Sequence, residues 1–208
     1  LDCEIGLRNL DLALGLTDRA LMDFSDVALG RCPLARGAVD HPDVKGLSLL
    51  TAPMSLSPSL TIDKVRAMLY TARAAYDYVL IDSPAGLGPG FRLAICGADR
   101  ALVIATNDAS SLRDAQRTVC ELESIRQVHL IMNRIQPKLL RKLRATIDDA
   151  MNTAGLPLIG VVPEDDQVML AANLGQPLTA QGRRGAALAC WNIALRLDGN
   201  QVPIMRIR

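Results

Sequence analysis

The amino-acid sequence predicts an α/β protein with a doubly wound, mostly parallel sheet and helices on both of its faces. Short apolar runs rich in β-forming residues alternate with longer stretches of helical character, which is typical of successive strand-helix units. The runs carry no charged side chain, as expected of parallel strands that are covered on both faces. They are residues 47–52, 78–81, 101–106, 128–132 and 158–162.

Size and composition favour one domain. The 208 residues are 50% apolar and 22% charged, so we predict a single domain over residues 1–200 and a short tail at 201–208. A net charge of +1 and 3% aromatic residues give no support to nucleic acid as the main partner. Five cysteines without a CxxC pair fit neither a disulfide framework nor a zinc site, so we predict a cytoplasmic protein. No apolar run approaches the roughly 20 residues of a membrane span.

Two carboxylates lie near the start of the sequence. Asp2 and Glu4 are one residue apart, so in an extended segment their side chains point to the same side. Such a pair can serve a metal ion and an attacking water, or it can be an ordinary solvated segment, which the spacing alone favours. Farther along, residues 17–29 are predicted to form a helix capped by Thr17 and Asp18, and residues 61–75 a second helix.

Asp82 follows the central predicted strand, 78–81, at the carboxyl edge of the sheet, where ligands of open α/β sheets bind. Pro84 and Gly86 shape the loop after it. Mg²⁺ prefers one or two carboxylates plus waters and phosphate oxygens, so Asp82 is a candidate ligand for Mg²⁺ that carries nucleotide phosphates. The alternative is that Asp82 only caps a turn, because Asp-Ser-Pro is ordinary turn chemistry.

The second half of the chain adds further candidate residues at strand ends. Residues 85–90 contain three glycines without the GxGxxG spacing, which indicates a glycine loop and not a dinucleotide-binding motif. Ser110 is predicted to cap a helix that runs to about residue 124. Asn133 and Arg134 follow the strand at 128–132, and an Asn side chain can donate to and accept from an adenine edge at once.

Residues 138–154 are predicted to form one amphipathic helix. Basic side chains cluster at its start, where they form either a solvated face, the usual role of a charge run, or a contact with anionic lipid or DNA. After the strand at 158–162, helices are predicted over 166–174 and 183–197. The clustered basic residues are Lys138, Arg141, Lys142 and Arg144.

Four stretches, in the right order over most of the chain, carry a family resemblance. They are IGLRNLD at 5–11, DSPAG at 82–86, SSLRDA at 110–115 and GVVPED at 160–165. These stretches resemble switch I, the Walker B and switch II segment, a helix start after the next strand, and the loop beside the adenine in the MinD/ParA family of deviant Walker-A ATPases. The resemblance implies an ATP-hydrolysing switch that places the division site. Relatives that position flagella or chromosomes are the alternative.

The resemblance also implies roles for individual residues, with ATP and Mg²⁺ as cofactors. Asp82 would hold Mg²⁺ through water, Asp2 would lie near the metal, and Glu4 would orient the attacking water. Where the family has Asp, this chain has Glu4, which is one methylene longer. The residues implied at the adenine base are Asn133, Arg134, Pro163 and Glu164.

The implied partners are a second copy of the chain, a division inhibitor or topological regulator, and, weakly, an anionic membrane. Asp114 would belong to a surface used by regulators. The tail would attach the protein peripherally to the inner face of the cell membrane, although few tail residues suit this role. The residues implied at the dimer face are Arg8, Asn9 and Asp11, and those of the tail are Ile204, Met205, Arg206, Ile207 and Arg208.

One family element is not found in the sequence. A phosphate-binding P-loop with its lysine is expected ahead of Asp2, yet no Gly-Lys-Ser or Gly-Lys-Thr occurs in the 208 residues. A strand, P-loop and helix with the next strand amount to about 30 residues. We therefore expect this sequence to be an incomplete version of a longer protein. The alternative is a scaffold of the same fold that lacks the P-loop and does not hydrolyse ATP.

Overall fold

The computed structural model of the protein describes residues 1–205, except for the side chain of Gln181. The chain forms two compact units, each with its own core. A single domain over residues 1–200 stays a prediction. The first unit is Leu1–Ala98 with Ala172–Pro177, and the second is Asp99–Ala171 with the chain from Leu178 onward.

The first unit contains mostly short elements. Of the helix predicted over 17–29, only Phe24–Ala28 is helical. Asp18 has a left-handed backbone, with φ of 62°, and Asp23 caps the helix instead. The elements are α1 (Asn9–Ala13), α2 (Phe24–Ala28), α3 (Leu34–Gly37), the antiparallel pair β1 (Val39–Asp40) and β2 (Ser48–Leu49), α4 (Ile62–Ala75) and α5 (Pro89–Ile95).

Helix α4 organises the core of the first unit, and its predicted position at 61–75 is confirmed. Thr61 caps it, since the Thr61 Oγ1 atom accepts a hydrogen bond from the Lys64 N–H at 3.4 Å. Its buried side chains recur every three or four residues, as in a helix that covers a core with one face. They are Val65, Met68, Leu69 and Ala72. The first three pack in a cluster with Cys3, Phe24, Leu50 and Ala52.

The segment 78–81 is not the buried strand that the sequence predicts. Val79 and Ile81 pack against the core of the first unit, whereas Tyr78 is 63% exposed and Leu80 is 73% exposed. Successive side chains of an extended segment point to opposite sides. The described residues therefore cover only one face of this segment.

The second unit contains the parallel sheet. Its strands are β3 (Arg100–Ala105), β4 (Gln127–Ile135) and β5 (Leu158–Pro163), in the order β3-β4-β5 and all parallel. The predicted α/β class, with a parallel sheet flanked by helices, is confirmed. The helices are α6 (Ala109–Glu121), α7 (Pro137–Leu143), α8 (Ile147–Ala154), α9 (Asp166–Asn173), a 3₁₀ helix (Leu178–Gln181) and α10 (Gly185–Leu197).

Two helix starts in this unit differ from the sequence-based prediction. Asp108, and not Ser110, caps α6, because the Asp108 carboxylate accepts a hydrogen bond from the Ser111 N–H at 2.9 Å. The single helix predicted over 138–154 is divided into α7 and α8. Arg144 takes a left-handed conformation, with φ of 50°, and Thr146 begins α8 with a capping box.

Helix α10 packs closely on β5. A Cβ atom at Gly160 would lie only 2.2 Å from the Ile193 Cγ1 atom, so this position of the strand has no room for a side chain. The close approach brings α10 into the core of the second unit. The buried members of this core are Ile131, Ile159, Val162, Ala186, Ala189 and Ile193.

The C-terminal tail is described as far as Met205. Arg206, Ile207 and Arg208, which the sequence assigns to a membrane tail, lie outside the described residues. Among residues 1–205, no helix combines the length and the apolar character needed to cross a membrane.

Candidate functional site

Residues 1–3 and 80–82 lie side by side as parallel extended segments. The Asp82 N–H donates to the Leu1 carbonyl at 2.8 Å, and the Cys3 N–H donates to the Asp82 carbonyl at 2.9 Å. These bonds make Asp2 and Asp82 partners in an isolated parallel β-bridge. On its other side, the Asp2 N–H donates to the Leu50 carbonyl at 2.9 Å. Paired residues of a parallel bridge carry their side chains on the same face, so the backbone brings two carboxylates together.

Asp2 is the more deeply buried of the two, at 1% exposure. Its Oδ1 atom accepts a hydrogen bond from the Glu4 N–H at 2.7 Å, while Oδ2 is buried without a hydrogen-bond partner in the described chain. Burial raises the pKa of the Asp2 carboxyl, and the negative charges of Asp82 and Glu4 raise it further, against the hydrogen bond from Glu4. The Asp2 Oδ2 atom is therefore a carboxylate oxygen that can accept a bond from a ligand.

Asp82 shares this electrostatic environment. Partial burial raises the pKa of its carboxyl, and the nearby charge of Glu4 adds to the increase. Asp2, Glu4 and Asp82 therefore form one cluster of like charges in the first unit. Such a cluster favours protons or cations, because a positive charge between the carboxylates relieves their repulsion.

The donor set suits Mg²⁺ as a partial coordination shell. Mg²⁺ takes one or two carboxylates and completes its octahedron with waters and phosphate oxygens. Asp2 and Asp82 offer two carboxylates, one with a buried, unpartnered oxygen atom. Within the residues that the structure describes, no group of three or more His, Cys, Asp or Glu side chains is placed to hold a metal by itself. The two aspartates thus fit an ion whose other ligands come from water and a phosphate.

The predicted switch segment adjoins this cluster. The Asn9 side-chain amide donates to the Glu4 carboxylate at 3.3 Å. Arg8 has a left-handed backbone, with φ of 53°, and its Nη2 atom donates to the Thr51 hydroxyl at 3.2 Å. The Arg8 Nε atom is buried without a hydrogen-bond partner in the described chain, and Asp11 is buried as well. A hydrogen bond therefore links Glu4 to Asn9, while the side chains of Arg8 and Asp11 point into the interior of the first unit.

In the second unit, Asn133 and Arg134 lie within β4, and not after it as the sequence predicts. Met132 pairs with Val161 and Ile135 pairs with Pro163, so three steps along β4 oppose two along β5. This extra residue is a β-bulge, and Arg134 has a left-handed backbone with φ of 54°. Bulges redirect side chains at the ends of strands, here at the carboxyl end of the parallel sheet.

The bulge brings predicted base-binding residues together. The Arg134 Nε atom donates to both carboxylate oxygens of Glu164, at 3.2 and 3.0 Å, and Glu164 raises the pKa of the guanidinium. The Glu164 N–H donates to the Ile135 carbonyl at 3.1 Å, which fixes the chain directly after Pro163. The Asn133 Oδ1 atom accepts from the Arg134 N–H at 2.9 Å, so its amide nitrogen is directed away from this bond.

Sequence reasoning assigned no role to Asp165, which secures this loop. Its carboxylate accepts hydrogen bonds from the Gln167 N–H at 3.0 Å and from the Ala186 N–H at 2.9 Å. A Cβ atom at Gly185 would lie 2.1 Å from the Asp165 Oδ2 atom, so the contact requires glycine there. The two ends of this contact are about 20 residues apart in sequence, and no local pattern signals it.

Asp114, which the sequence assigns to a surface used by regulators, is exposed on α6.

Comparison with known proteins places the chain in a family, although no protein-family model matches it. The septum site-determining protein MinD of Helicobacter pylori is 38% identical over 218 residues, a match that spans 100% of this chain and 81% of the relative. MinD of Bacillus subtilis is 34% identical over 98% of this chain and 78% of its own length. MinD of Synechocystis is 32% identical over 99% of this chain and 79% of its own length.

The chain belongs to the MinD family. A solved MinC:MinD cell division protein complex from Aquifex aeolicus has 33% sequence identity and a TM-score of 0.89, and covers 99% of this chain and 84% of the solved chain. MinD from Pyrococcus horikoshii, solved with Mg-ADP, has 22% identity and a TM-score of 0.80 over 95% of this chain and 81% of that one. This second likeness supports the fold alone.

Proposed function

We propose that this member of the MinD family is an ATP-dependent switch that helps to place the division site. The observation that carries the proposal is the β-bridge between Asp2 and Asp82, which puts two carboxylates with raised pKa values on one face at the end of a paired segment. Among MinD relatives, the Pyrococcus horikoshii protein was solved with Mg-ADP. A carboxylate pair of this kind is a suitable anchor for a hydrated metal ion that carries nucleotide phosphates.

In this proposal Asp82 would hold hydrated Mg²⁺, and Asp2, whose Oδ2 atom has no partner in the described chain, would support it. When bound, Mg²⁺ would neutralise charge on the phosphate oxygens. Glu4 would orient the attacking water by accepting a hydrogen bond from it, and the Asn9 amide holds the Glu4 carboxylate in place. Because Glu4 is longer than aspartate, its contact with Asn9 is what restricts the added freedom of the side chain.

The base-binding part of the proposal rests on the β4 bulge. Asn133 offers an amide that can donate to and accept from the adenine edge. The Arg134 ion pair with Glu164 and the hydrogen bond from the Glu164 N–H keep the loop after Pro163 in one conformation. A preorganised loop pays less ordering entropy when a base binds.

The proposed partners follow from the family. A second copy of the chain would contact the face around Arg8, Asn9 and Asp11, and regulators would contact the face around Asp114. The Aquifex aeolicus relative was solved in complex with MinC, which supports a division inhibitor as one such regulator. We place the protein in the cytoplasm, with weak peripheral attachment to the anionic inner face of the membrane.

The test is ATP hydrolysis by the full-length protein with Asp82→Ala. We expect the rate to fall at least about 100-fold, the loss typical of one electrostatic group in a site that stabilises charge. Asp77→Ala, which removes an exposed carboxylate five positions earlier, is the matched control and should leave the rate unchanged. Hydrolysis at the normal rate by the Asp82 variant would contradict the assignment.

The second candidate function is a scaffold of the same fold that does not bind nucleotide. Calorimetric titration of these 208 residues with ATP and Mg²⁺ separates the candidates. Saturable binding would contradict both the scaffold and the expectation that an additional P-loop segment is required. Binding by the full-length protein alone would support the ATP-dependent switch.

A further inference from the structure

Thr51 is a fully buried polar residue of the first unit to which the proposed chemistry gives no role. Its side chain is 0% exposed, and a buried hydroxyl is stable only when it is hydrogen-bonded. The Thr51 hydroxyl donates to the Met22 carbonyl at 3.3 Å and accepts from the Arg8 Nη2 atom at 3.2 Å. One side chain therefore joins the predicted switch segment, residues 5–11, to the chain ahead of α2.

The backbone on both sides of Thr51 carries the residues that lead into the switch segment. The Asp2 N–H donates to the Leu50 carbonyl at 2.9 Å. The Gly6 N–H donates to the Pro53 carbonyl at 3.1 Å. Thr51 lies between these two bonds, so the backbone fixes its position independently of the bonds that its hydroxyl makes.

Beyond Gly6, side-chain contacts hold the switch segment. Arg8 has a left-handed backbone, with φ of 53°, which persists at a residue other than glycine only where surrounding contacts stabilise it. Its Nε atom is buried without a partner in the described chain, so the bond from Nη2 to Thr51 is important for keeping the guanidinium inside. Asn9 follows directly, and its amide donates to the Glu4 carboxylate at 3.3 Å. The position of Arg8 therefore sets the position of the residue that holds Glu4.

We infer that Thr51 is a positioning residue for ATP hydrolysis, which acts on Glu4 through Arg8 and the residue after it. The inference rests on the proposed function and adds a residue to the same site. Valine has nearly the shape of threonine but no hydroxyl, so Thr51→Val removes the bond to the Arg8 guanidinium and frees the switch segment. Serine keeps the hydroxyl. A water that Glu4 no longer aligns reacts more slowly, because a small misplacement of reacting groups lowers the rate.

The first test is steady-state ATP hydrolysis by the full-length protein. We expect Thr51→Val to lower kcat by about 10-fold and to leave KM within about twofold, since Thr51 has no role in holding ATP. Thr51→Ser should recover most of the rate. Thr71→Val, which removes an exposed hydroxyl from α4 of the same unit, is the matched control and should hydrolyse ATP like the wild type. An unchanged kcat in Thr51→Val, or an equal loss in the serine variant or the control, would overturn the inference.

The second test is limited trypsin digestion of the same full-length variants without nucleotide. Trypsin cleaves after arginine, so native-state cleavage after Arg8 reports opening of the switch segment. Cleavage after Arg66, within α4, reports opening of the whole unit and corrects for a general loss of stability. We expect Thr51→Val to raise the ratio of the two rates by about 10-fold, the effect of losing one hydrogen bond to a charged group. Thr51→Ser should keep the ratio of the wild type, and an unchanged ratio in Thr51→Val would overturn the inference.

The two tests separate this inference from the proposed function. If the wild type and Asp82→Ala hydrolyse ATP alike, the proposed function fails, whereas cleavage after Arg8 still decides whether Thr51 holds the switch segment. If Asp82→Ala is inactive while Thr51→Val behaves like the wild type in both tests, the inference about Thr51 alone fails.

Discussion

Asp2 and Asp82 are bridge partners although 80 positions separate them in sequence, and two backbone hydrogen bonds hold them in parallel. The pairing places one carboxylate with a buried, unpartnered oxygen atom beside a more exposed one. Burying like charges together costs stability unless a proton or a cation compensates them. The bridge therefore stores unfavourable electrostatic energy at the position where the proposed function needs a positive ion.

Asp2→Asn should become progressively more stable than the wild type as pH rises. The pKa of Asp2 is raised above the ordinary value of about 3.9, so the native wild type binds more protons than the unfolded chain above that pH and loses stability as pH increases. The variant lacks this loss. Urea unfolding between about pH 4 and pH 7 measures it. A difference in unfolding free energy that is constant or shrinks over this range would contradict the prediction, and Asp77→Asn is the exposed control.

Asp108→Ala should destabilise the second unit by about 0.5–2 kcal/mol, the usual cost of losing an N-cap. The hydroxyls of Ser110 and Thr106 and the Ser111 N–H donate to the Asp108 carboxylate and lower its pKa to about 2. A lowered pKa gives stability that is complete above about pH 4 and is lost as pH falls toward 2. The effect of Asp108→Ala should therefore disappear in acid. An undiminished effect at the acid end of the range would show that the cap acts without its charge.

Gly160→Ala should cost about 1–3 kcal/mol of unfolding free energy, the range for overpacking a core. The added Cβ atom would lie 2.2 Å from the Ile193 side chain, so α10 would have to move away from β5. Gly88→Ala is the control, because no atom lies within 4 Å of the position of its Cβ atom. Thermal or urea unfolding measures both. Equal stability of the two variants would mean that α10 adjusts at no cost.

Arg196→Ala should release the tail and destabilise the second unit by about 2–3 kcal/mol, since the variant loses charged hydrogen bonds to three carbonyl groups, two of them in the tail. Arg196→Lys keeps the charge but lacks the planar guanidinium with its several N–H donors, so it should recover only part of the lost stability. Limited proteolysis after residue 200 reports release of the tail directly. If the tail of Arg196→Ala resists protease as well as that of the wild type, the guanidinium does not hold it. Arg117→Ala, at an exposed site, is the control.

Local patterns predicted the elements whose partners lie nearby in sequence. Helix α4 occupies the predicted range, with Thr61 as its cap, and the parallel strands β3 to β5 overlap the predicted apolar runs. The division of the helix predicted at 138–154 had a readable signal, because Thr146 and Asp149 have the spacing of a capping box. Asp108, the cap of α6, precedes the predicted cap Ser110 by only two residues, and both residue types favour this position.

Features that depend on distant residues were not predictable. The exposure of Leu80 depends on which residues cover the segment, and apolar composition does not report that. The β4 bulge needs a left-handed backbone at Arg134, a residue without the conformational freedom of glycine, so nothing in the sequence signals it. The contact of Asp165 with the start of α10 is likewise formed only when the loop and helix meet in the folded chain.

The bulge at Asn133 and Arg134 also constrains how this segment can evolve. Deletion of one residue there would give equal spacing between β4 and β5 with Ile135 still opposite Pro163, but it would remove the extra residue that accompanies the Arg134 ion pair with Glu164. Insertion of one residue would enlarge the mismatch and displace Ile135 from Pro163. Substitutions can therefore accumulate at this strand end, whereas its length must remain constant.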